Sequence, residues 1–188
     1  AGYLVEDDRI LSGIYIGPVD VGGMTLEEAK TEIENHVDTL KIKTAVLAIG
    51  SIGNESDSAT ATMEEFGLNW TNEGVLKEAL SLGKSGNLIK RYKAKKDIEN
   101  ETVLFELKFG VDKDKILQVV EEKCSPFEIE MINATLQKTA NGFVATDEKI
   151  GKSIDVLTSA EQITRFLEEE WDNLQEDLYF DIVTQIDM

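Results

Sequence analysis

The chain has 188 residues, of which 37 are Asp or Glu and 19 are Lys or Arg, so its formal net charge is −18 at neutral pH. Apolar residues make up 41% and only two prolines are present, which is typical of a folded protein and not of a disordered one. Phosphate backbones repel such a chain, so nucleic-acid binding is not expected. With one cysteine and one histidine, neither an internal disulfide nor a Cys/His zinc site can form.

The N-terminal part predicts alternating strands and helices. A short strand over 13–17 is followed by the capping box Thr25-Leu26-Glu27-Glu28, which predicts the start of a helix. Strands are expected over 42–49 and 59–65, and Asn72 is expected to cap a second helix. The first helix carries one apolar face with residues three or four positions apart, formed by Leu26, Ala29, Ile33, Val37 and Leu40.

A basic helix is predicted over 86–98, and the order of elements then repeats. A strand over 103–109 precedes a helix capped by Asp112, and the turn pair Asn141-Gly142 predicts a hairpin. A second capping box, Thr158-Ser159-Ala160-Glu161, predicts another helix, and 178–186 closes the chain as a strand.

These elements predict an α+β fold with small mixed or antiparallel sheets packed on helices. The order strand, helix, two strands, helix occurs twice, which favours an internal duplication, although coincidental spacing would give the same order. We therefore predict a first half over 1–85, a connecting basic helix over 86–100 and a second half over 101–188.

The search for catalytic chemistry predicts no active site, no metal and no cofactor. Two Gly-Lys-Ser stretches, at Gly83 and Gly151, lack the upstream glycine of a phosphate-binding loop. His36 is expected to be a partly exposed helical residue, and Cys124 has acidic neighbours that disfavour a reactive thiolate. Pairs of acids are numerous in so acidic a chain, so a hydrolase that uses two facing carboxylates stays an open but less favoured alternative.

The most informative stretch is Lys84–Lys96, which contains six cations and no acid. The rest of the chain therefore has a formal net charge of −24. One interpretation is an anion-binding face. The alternative is a linker helix whose basic side docks on the protein's own acidic surface. Leu88, Ile89 and Tyr92 are expected to form a narrow apolar side of this helix. The candidate ligand-binding residues are Lys84, Asn87, Arg91, Tyr92 and Lys95.

Several segments resemble a known family. The stretch from Ser12 to Ala29, SGIYIGPVDVGGMTLEEA, resembles the opening of VanW-like cell-surface proteins. Gly67-Leu-Asn-Trp70 and ALSLGKSGNLIKRY, which ends at Tyr92, are similar to the peptidoglycan-binding domain of those proteins. The same domain precedes the catalytic domain of some L,D-transpeptidases. Its second half is similar to Asn133-Ala-Thr-Leu136, Phe143-Val-Ala-Thr146 and Gly151-Lys-Ser-Ile-Asp155.

The resemblance implies a non-catalytic, extracytoplasmic module at the cell surface of a Gram-positive bacterium. Its expected partner is peptidoglycan or another wall polymer, with membrane attachment through an N-terminal segment that has been removed. The first alternative is a structural scaffold that positions a downstream domain and has no affinity for glycan.

Overall fold

The structure is a computed structural model and describes residues 8–50, 57–148, 150–172 and 177–187. Its α-helices are α1 (Leu26–Lys41), α2 (Val75–Ser81), α3 (Leu88–Asn100), α4 (Lys113–Cys124) and α5 (Val156–Arg165). Its strands are β1 (Ile14–Ile16), β2 (Val19–Asp20), β3 (Thr44–Ile49), β4 (Ser58–Thr62), β5 (Asn69–Trp70), β6 (Val103–Phe105), β7 (Phe109–Gly110), β8 (Thr135–Thr139), β9 (Gly142–Thr146), β10 (Gly151–Ile154), β11 (Leu178–Ile182) and β12 (Thr184–Asp187). The described sheets have two or three strands each, so the predicted α+β class is confirmed.

Contacts between residues divide the chain into two compact units that interleave along the sequence. The first unit contains the described residues up to Lys41 together with Asn69–Gly110. The second contains Ile42–Leu68 and the residues from Val111 onward. Each unit therefore combines two separate stretches of the chain.

These units differ from the division predicted over 1–85, 86–100 and 101–188. The physical reason is strand pairing between distant segments, because β3 pairs in parallel with β11 and is thereby drawn into the second unit. The helix over 86–100 belongs to the first unit. The predicted division into two halves and a connecting helix stays a prediction. The element order from β1 to α2 recurs from β6 to α5, as an internal duplication requires. The duplication itself stays a prediction.

In the first unit, a small three-stranded sheet and α1 bury a common apolar core. The strand β1 pairs antiparallel with β2 and in parallel with β6. The predicted capping box is present, because Oγ1 of Thr25 accepts from the N–H of Glu28 at 3.2 Å and a carboxylate oxygen of Glu28 accepts from the N–H of Thr25 at 3.4 Å. The predicted apolar face of α1 is buried through Ala29, Ile33, Val37 and Leu40.

In the second unit, the sheet β11-β3-β4 carries the core. Phe180 of β11 makes edge-to-face contacts with Phe166 at 5.5 Å and with Phe66 at 6.4 Å between ring centroids. The predicted hairpin is present as β8–β9, but its turn lies at Ala140 and Asn141, one position earlier than predicted. Gly142, with a φ of +121°, begins β9 and pairs with Thr139. Asp112 caps α4 as predicted, since its Oδ1 accepts from two backbone N–H groups.

Two predicted caps are wrong. Asn72 does not cap α2. Its side-chain oxygen accepts from Nε1 of Trp70 at 2.8 Å and from the N–H of Lys108 at 2.9 Å, and its amide donates to the carbonyl of Glu106. The cap of α5 is Asp155, so the helix begins before the predicted capping box at Thr158. The carboxylate of Asp155 accepts from both the backbone N–H and the hydroxyl of Thr158.

The C-terminal end of α3 is held in the first unit by a close backbone approach. Gly13 has a φ of +92°, and a Cβ at this position would lie 2.4 Å from the carbonyl oxygen of Ile98. Ile98 is itself 7% exposed and belongs to the core of the unit. A side chain at position 13 is therefore excluded by both backbone conformation and space.

We expect Gly13→Ala to lower the free energy of unfolding by clearly more than the control Gly23→Ala. Both glycines have positive φ, which costs an alanine about 1–2 kcal/mol, but a Cβ at Gly23 would meet nothing within 4 Å. Urea unfolding of both variants measures the difference. Equal losses would show that the approach to Ile98 relaxes at no cost.

Glu65 forms a local network in the second unit. Its carboxylate accepts from the N–H of Thr62 at 2.7 Å and lies 2.9 Å from Nζ of Lys123. The backbone hydrogen bond from Thr62, followed by the hydrogen bond and charge of Lys123, lowers the pKa of Glu65 below its ordinary value of 4.5. The ionised form is therefore favoured in the folded protein.

This network predicts a pH-dependent stability. Because the folded pKa of Glu65 is lowered, its contribution is complete above the ordinary pKa and is lost as pH falls through the folded value. Glu65→Gln should cost about 1 kcal/mol at pH 7, a magnitude reduced by solvent screening, and the cost should shrink below about pH 4.5. Chemical unfolding across pH 3–7, with the exposed neighbour variant Glu64→Gln as control, checks this. A cost that is the same at all pH values would contradict it.

Candidate functional site

The turn before α3 explains the sequence motif Gly83-Lys84-Ser85-Gly86-Asn87-Leu88. Gly83 and Gly86 both have positive φ, at +76° and +91°. A Cβ on Gly83 would approach the side chains of Leu11 and Ile98. The side-chain oxygen of Asn87 then caps the helix by accepting from the N–H of Lys90 at 3.0 Å. The motif therefore builds a turn and a helix start.

The five candidate ligand-binding residues do not form one open cluster. Nζ of Lys84 donates to the backbone carbonyl of Arg9, and the Asn87 side chain is engaged in the cap. Arg91 is half-buried, on the side of α3 that carries Ala94 and the buried Ile98. Tyr92 and Lys95 are exposed to solvent. Of the candidate set, these last two present their side chains outward.

The predicted narrow apolar side of α3 is exposed. Leu88, Ile89 and Tyr92 are 73%, 79% and 65% exposed. The helix instead packs through residues spaced three and four positions apart, namely Arg91, Ala94 and Ile98. We call the exposed side the α3 basic surface, and it comprises Leu88, Ile89, Lys90, Tyr92, Lys93, Lys95 and Lys96.

The charges on this surface remain available to solvent. Lys96 lies 3.1 Å from the carboxylate of Glu99 and its ammonium is 5.9 Å from the centroid of the Tyr92 ring. The hydrogen bond and charge of Glu99 raise the pKa of Lys96. Lys90, Lys93 and Lys95 make no ion pair with any residue that the structure describes. At Lys90, Lys93 and Lys95, the alternative of a basic side docked on the protein's own acids therefore finds no ion pair in its support among the described residues.

The order of charges along α3 opposes the helix dipole. The first turn carries Lys90 and Arg91 and no acid, whereas the last turn carries Asp97 and Glu99 and no base. Stability favours the reverse arrangement, by about 0.3–1 kcal/mol for each charge. The cations at the positive end of the helix reinforce its potential and make the start of α3 attractive to anions.

Comparison with protein families gives a match over residues 59–172, to the family described as "Putative peptidoglycan binding domain". The chain belongs to this family. Neither the curated proteins nor the solved structures give a match to the chain. The matched segment begins in β4 and ends after α5, and it contains all of α3 with its basic surface.

Aromatic side chains that could stack on sugars divide into core and surface positions in this family member. Trp171 is 9% exposed and Trp70 is half-buried with its Nε1 bonded to Asn72, so both belong to the interior. Tyr92, by contrast, is exposed. Phe143 and Tyr179 are also exposed, at 67% and 64%, and sequence reasoning missed them because exposure depends on packing.

The second unit has an open pocket of about 340 Å³ whose lining includes three acids. Glu128, Glu130 and Asp187 line it together with Ile129, Met131, Lys152 and Ser153. The ammonium of the buried Lys152 lies 3.7 Å from Asp57. Over the described ranges, no group of three or more acidic, His or Cys side chains could hold a metal ion, and no helix has the length and apolar character to cross a bilayer.

Cys124 has the unreactive environment that the sequence predicted. It lies at the end of α4 and is fully buried. Burial raises the pKa of its thiol to about 11, despite the nearby charge of Lys123. Very little thiolate is therefore present at neutral pH.

We expect Ellman's reagent to label native Cys124 at pH 8 at least about a hundredfold more slowly than the urea-unfolded protein, because the thiolate fraction falls by about that factor and access is blocked as well. Absorbance at 412 nm follows the reaction. Rapid stoichiometric labelling of the folded protein would contradict the buried position.

Proposed function

We propose that this chain is a non-catalytic, extracytoplasmic cell-envelope module that binds peptidoglycan or an associated wall polymer on a Gram-positive surface. Family membership supports the wall polymer as partner. The observation that carries the proposal at the level of residues is the α3 basic surface, which lies inside the family segment and concentrates exposed cations in an otherwise acidic protein.

The charge pattern favours a binding role over a purely structural one. A connector helix selected for stability would carry acids in its first turn and bases in its last. The helix α3 has the opposite order, with Lys90 near its start and Glu99 near its end. An unfavourable charge order on an exposed helix is understandable if a ligand outside the chain neutralises it.

The surface is suited to an anionic and partly apolar polymer. The free carboxylates of wall stem peptides, or phosphates of an attached polymer, would contact Lys93 and Lys95. Tyr92 offers an aromatic face at the same place, and aromatic rings combine an apolar surface with a polar end. Because the Debye length is about 8 Å at physiological salt, a ligand in contact with these lysines is screened from more distant acids.

The proposal assigns two roles within the original candidate set. Lys84 and Asn87 hold the turn that positions α3, while Tyr92 and Lys95 contact the ligand. Arg91 is half-buried and orients the helix from its packed side. Lys90 and Lys93 join the contact surface because their side chains are exposed.

Experiments with purified cell wall distinguish two other functions from the proposed one. A scaffold that only positions another domain would fold normally and have no affinity for purified wall. A carboxylate hydrolase would use the acids that line the pocket of the second unit and would release soluble muropeptides. Glu65 is a poor general acid for such chemistry, because its pKa is lowered where a general acid needs a raised one.

The test compares Lys93→Glu/Lys95→Glu with the control Lys77→Glu/Lys115→Glu, which makes the same change in net charge at exposed positions on α2 and α4. In co-sedimentation with purified, lipid-free peptidoglycan, the α3 variant should bind at least about fivefold more weakly, since lost attraction and added repulsion at two surface charges amount to about 1 kcal/mol or more. The control should bind as the wild type does.

Melting temperatures separate binding from folding. Surface substitutions usually change stability by less than about 0.5 kcal/mol, which is about 2 °C or less for a protein of this size. Unchanged binding by the α3 variant would exclude the α3 basic surface as the contact. Wild-type protein that stays entirely in the supernatant at low and physiological salt would reject peptidoglycan binding in favour of the scaffold.

A further inference from the structure

The hairpin β8–β9 is a two-stranded sheet that pairs with no other strand in the part of the chain that the structure describes. Each strand therefore has one edge that pairs with no described strand, and such an edge is a template for another strand. An isolated two-stranded ribbon is also only marginally stable in water. Over the described residues, the hairpin thus has backbone hydrogen-bonding capacity that no other strand of its unit uses.

One face of the hairpin is apolar and exposed. The register pairs Leu136 with Ala145 and Lys138 with Phe143, so these four side chains share a face. Leu136 and Phe143 are each 67% exposed. Large apolar side chains side by side on an uncovered ribbon indicate a surface that is covered in an assembly.

The hairpin β3–β4 is the counterpart of β8–β9 in the recurring order of elements. It follows α1 as β8–β9 follows α4, and it has the same cross-strand pair of Leu and Ala, at Leu47 and Ala59. There Leu47 is fully buried, and β11 pairs in parallel along the free edge of β3. A strand therefore fills the edge of β3 that corresponds to the open edge of β8.

Charge limits what can fill the edge of β8. Charged residues make up 30% of the whole chain, but Lys138 is the single charged residue over 132–146. Two copies of a chain whose formal net charge is −18 repel each other over most of their surfaces. The ribbon carries no acid, so two copies can approach each other there without that repulsion.

We propose that β8 pairs with β8 of a second copy of this chain, antiparallel and about a two-fold axis at Gln137, to give a four-stranded sheet in the order β9-β8-β8-β9. A two-fold axis makes the contact isologous and closed. Gln137 then lies opposite the partner's Gln137, and Leu136 lies opposite the partner's Lys138. The two lysines never face each other, and Leu136 lies diagonal to the partner's Leu136 on the same face, within reach of it across the new pairing.

A sheet edge and one ribbon face make a small interface, so the dimer is expected to be weak and to form at micromolar or higher concentration. Sedimentation equilibrium from about 1 to 500 µM should show wild-type protein changing from monomer to dimer. A mass that stays monomeric over the whole range would overturn the proposal.

The two-fold position of Gln137 allows a charge-exchange test. Like charges directly opposite each other on neighbouring strands are destabilising, so Gln137→Glu and Gln137→Lys should each remain monomeric where the wild type dimerises. An equimolar mixture of the two variants should dimerise again, because Glu then faces Lys. The matched control exchanges the same charges at Gln118, an exposed residue of α4, and should leave dimerisation unchanged.

Two results would contradict the pairing of β8 with β8 of a second copy. Dimerisation of both single variants at the wild-type concentration would place any dimer contact elsewhere on the chain. Monomeric wild type whose binding to purified wall is lost in Gln137→Glu and in Phe143→Ala would assign the ribbon to the polymer and overturn the dimer. Melting temperatures of all variants within about 2 °C of the wild type exclude unfolding as the cause.

A cysteine provides an independent measurement. Residues directly opposite each other in an antiparallel pair have Cα atoms about 4.5–5.5 Å apart, which is within the range that a disulfide spans. Gln137→Cys should therefore form a covalent dimer under mild oxidation, and Gln118→Cys should not. Native Cys124 is buried and does not compete. Equal crosslinking of the two variants would contradict a specific contact at Gln137.

Discussion

The position of α3 depends on one contact, the approach of the Ile98 backbone to Gly13. Since Gly13 has no side chain, the C-terminal end of the helix lies against the start of β1, and the Ile98 side chain enters the core of the first unit. The helix is then fixed in rotation, with Arg91 and Ala94 on its packed side. The exposure of Tyr92 and its neighbouring lysines follows from that rotation.

The same contact explains why the basic stretch could be misread from its sequence. Apolar residues on a helix usually mark its buried side, and Leu88 and Ile89 suggested such a side. A single strongly buried residue near the other end, Ile98, decides the rotation instead, because it joins a core already formed by β1 and α1. Local periodicity cannot show which of two short apolar sets meets that core.

Local signals predicted the elements well, and long-range pairing limited the rest. The capping box at Thr25, the cap at Asp112 and the turn before Gly142 are interactions within a few residues, so the sequence contains all the partners. Asn72 was misassigned because two of the residues that its side chain bonds, Glu106 and Lys108, lie more than thirty positions away. The candidate site was predicted as a stretch of sequence, but only the packing separates outward Lys95 from the engaged Lys84.

The parallel pairing of β3 with β11 also bears on how a domain of this family should be delimited for expression. The family match begins at residue 59 and ends at residue 172, so it includes β4 but neither of the other two strands of its sheet. It also excludes β1 and α1, which supply much of the core against which α3 packs. A fragment cut at the limits of sequence similarity would separate strands and helices that share a core. Each compact unit of this chain extends beyond the segment by which the family is recognised.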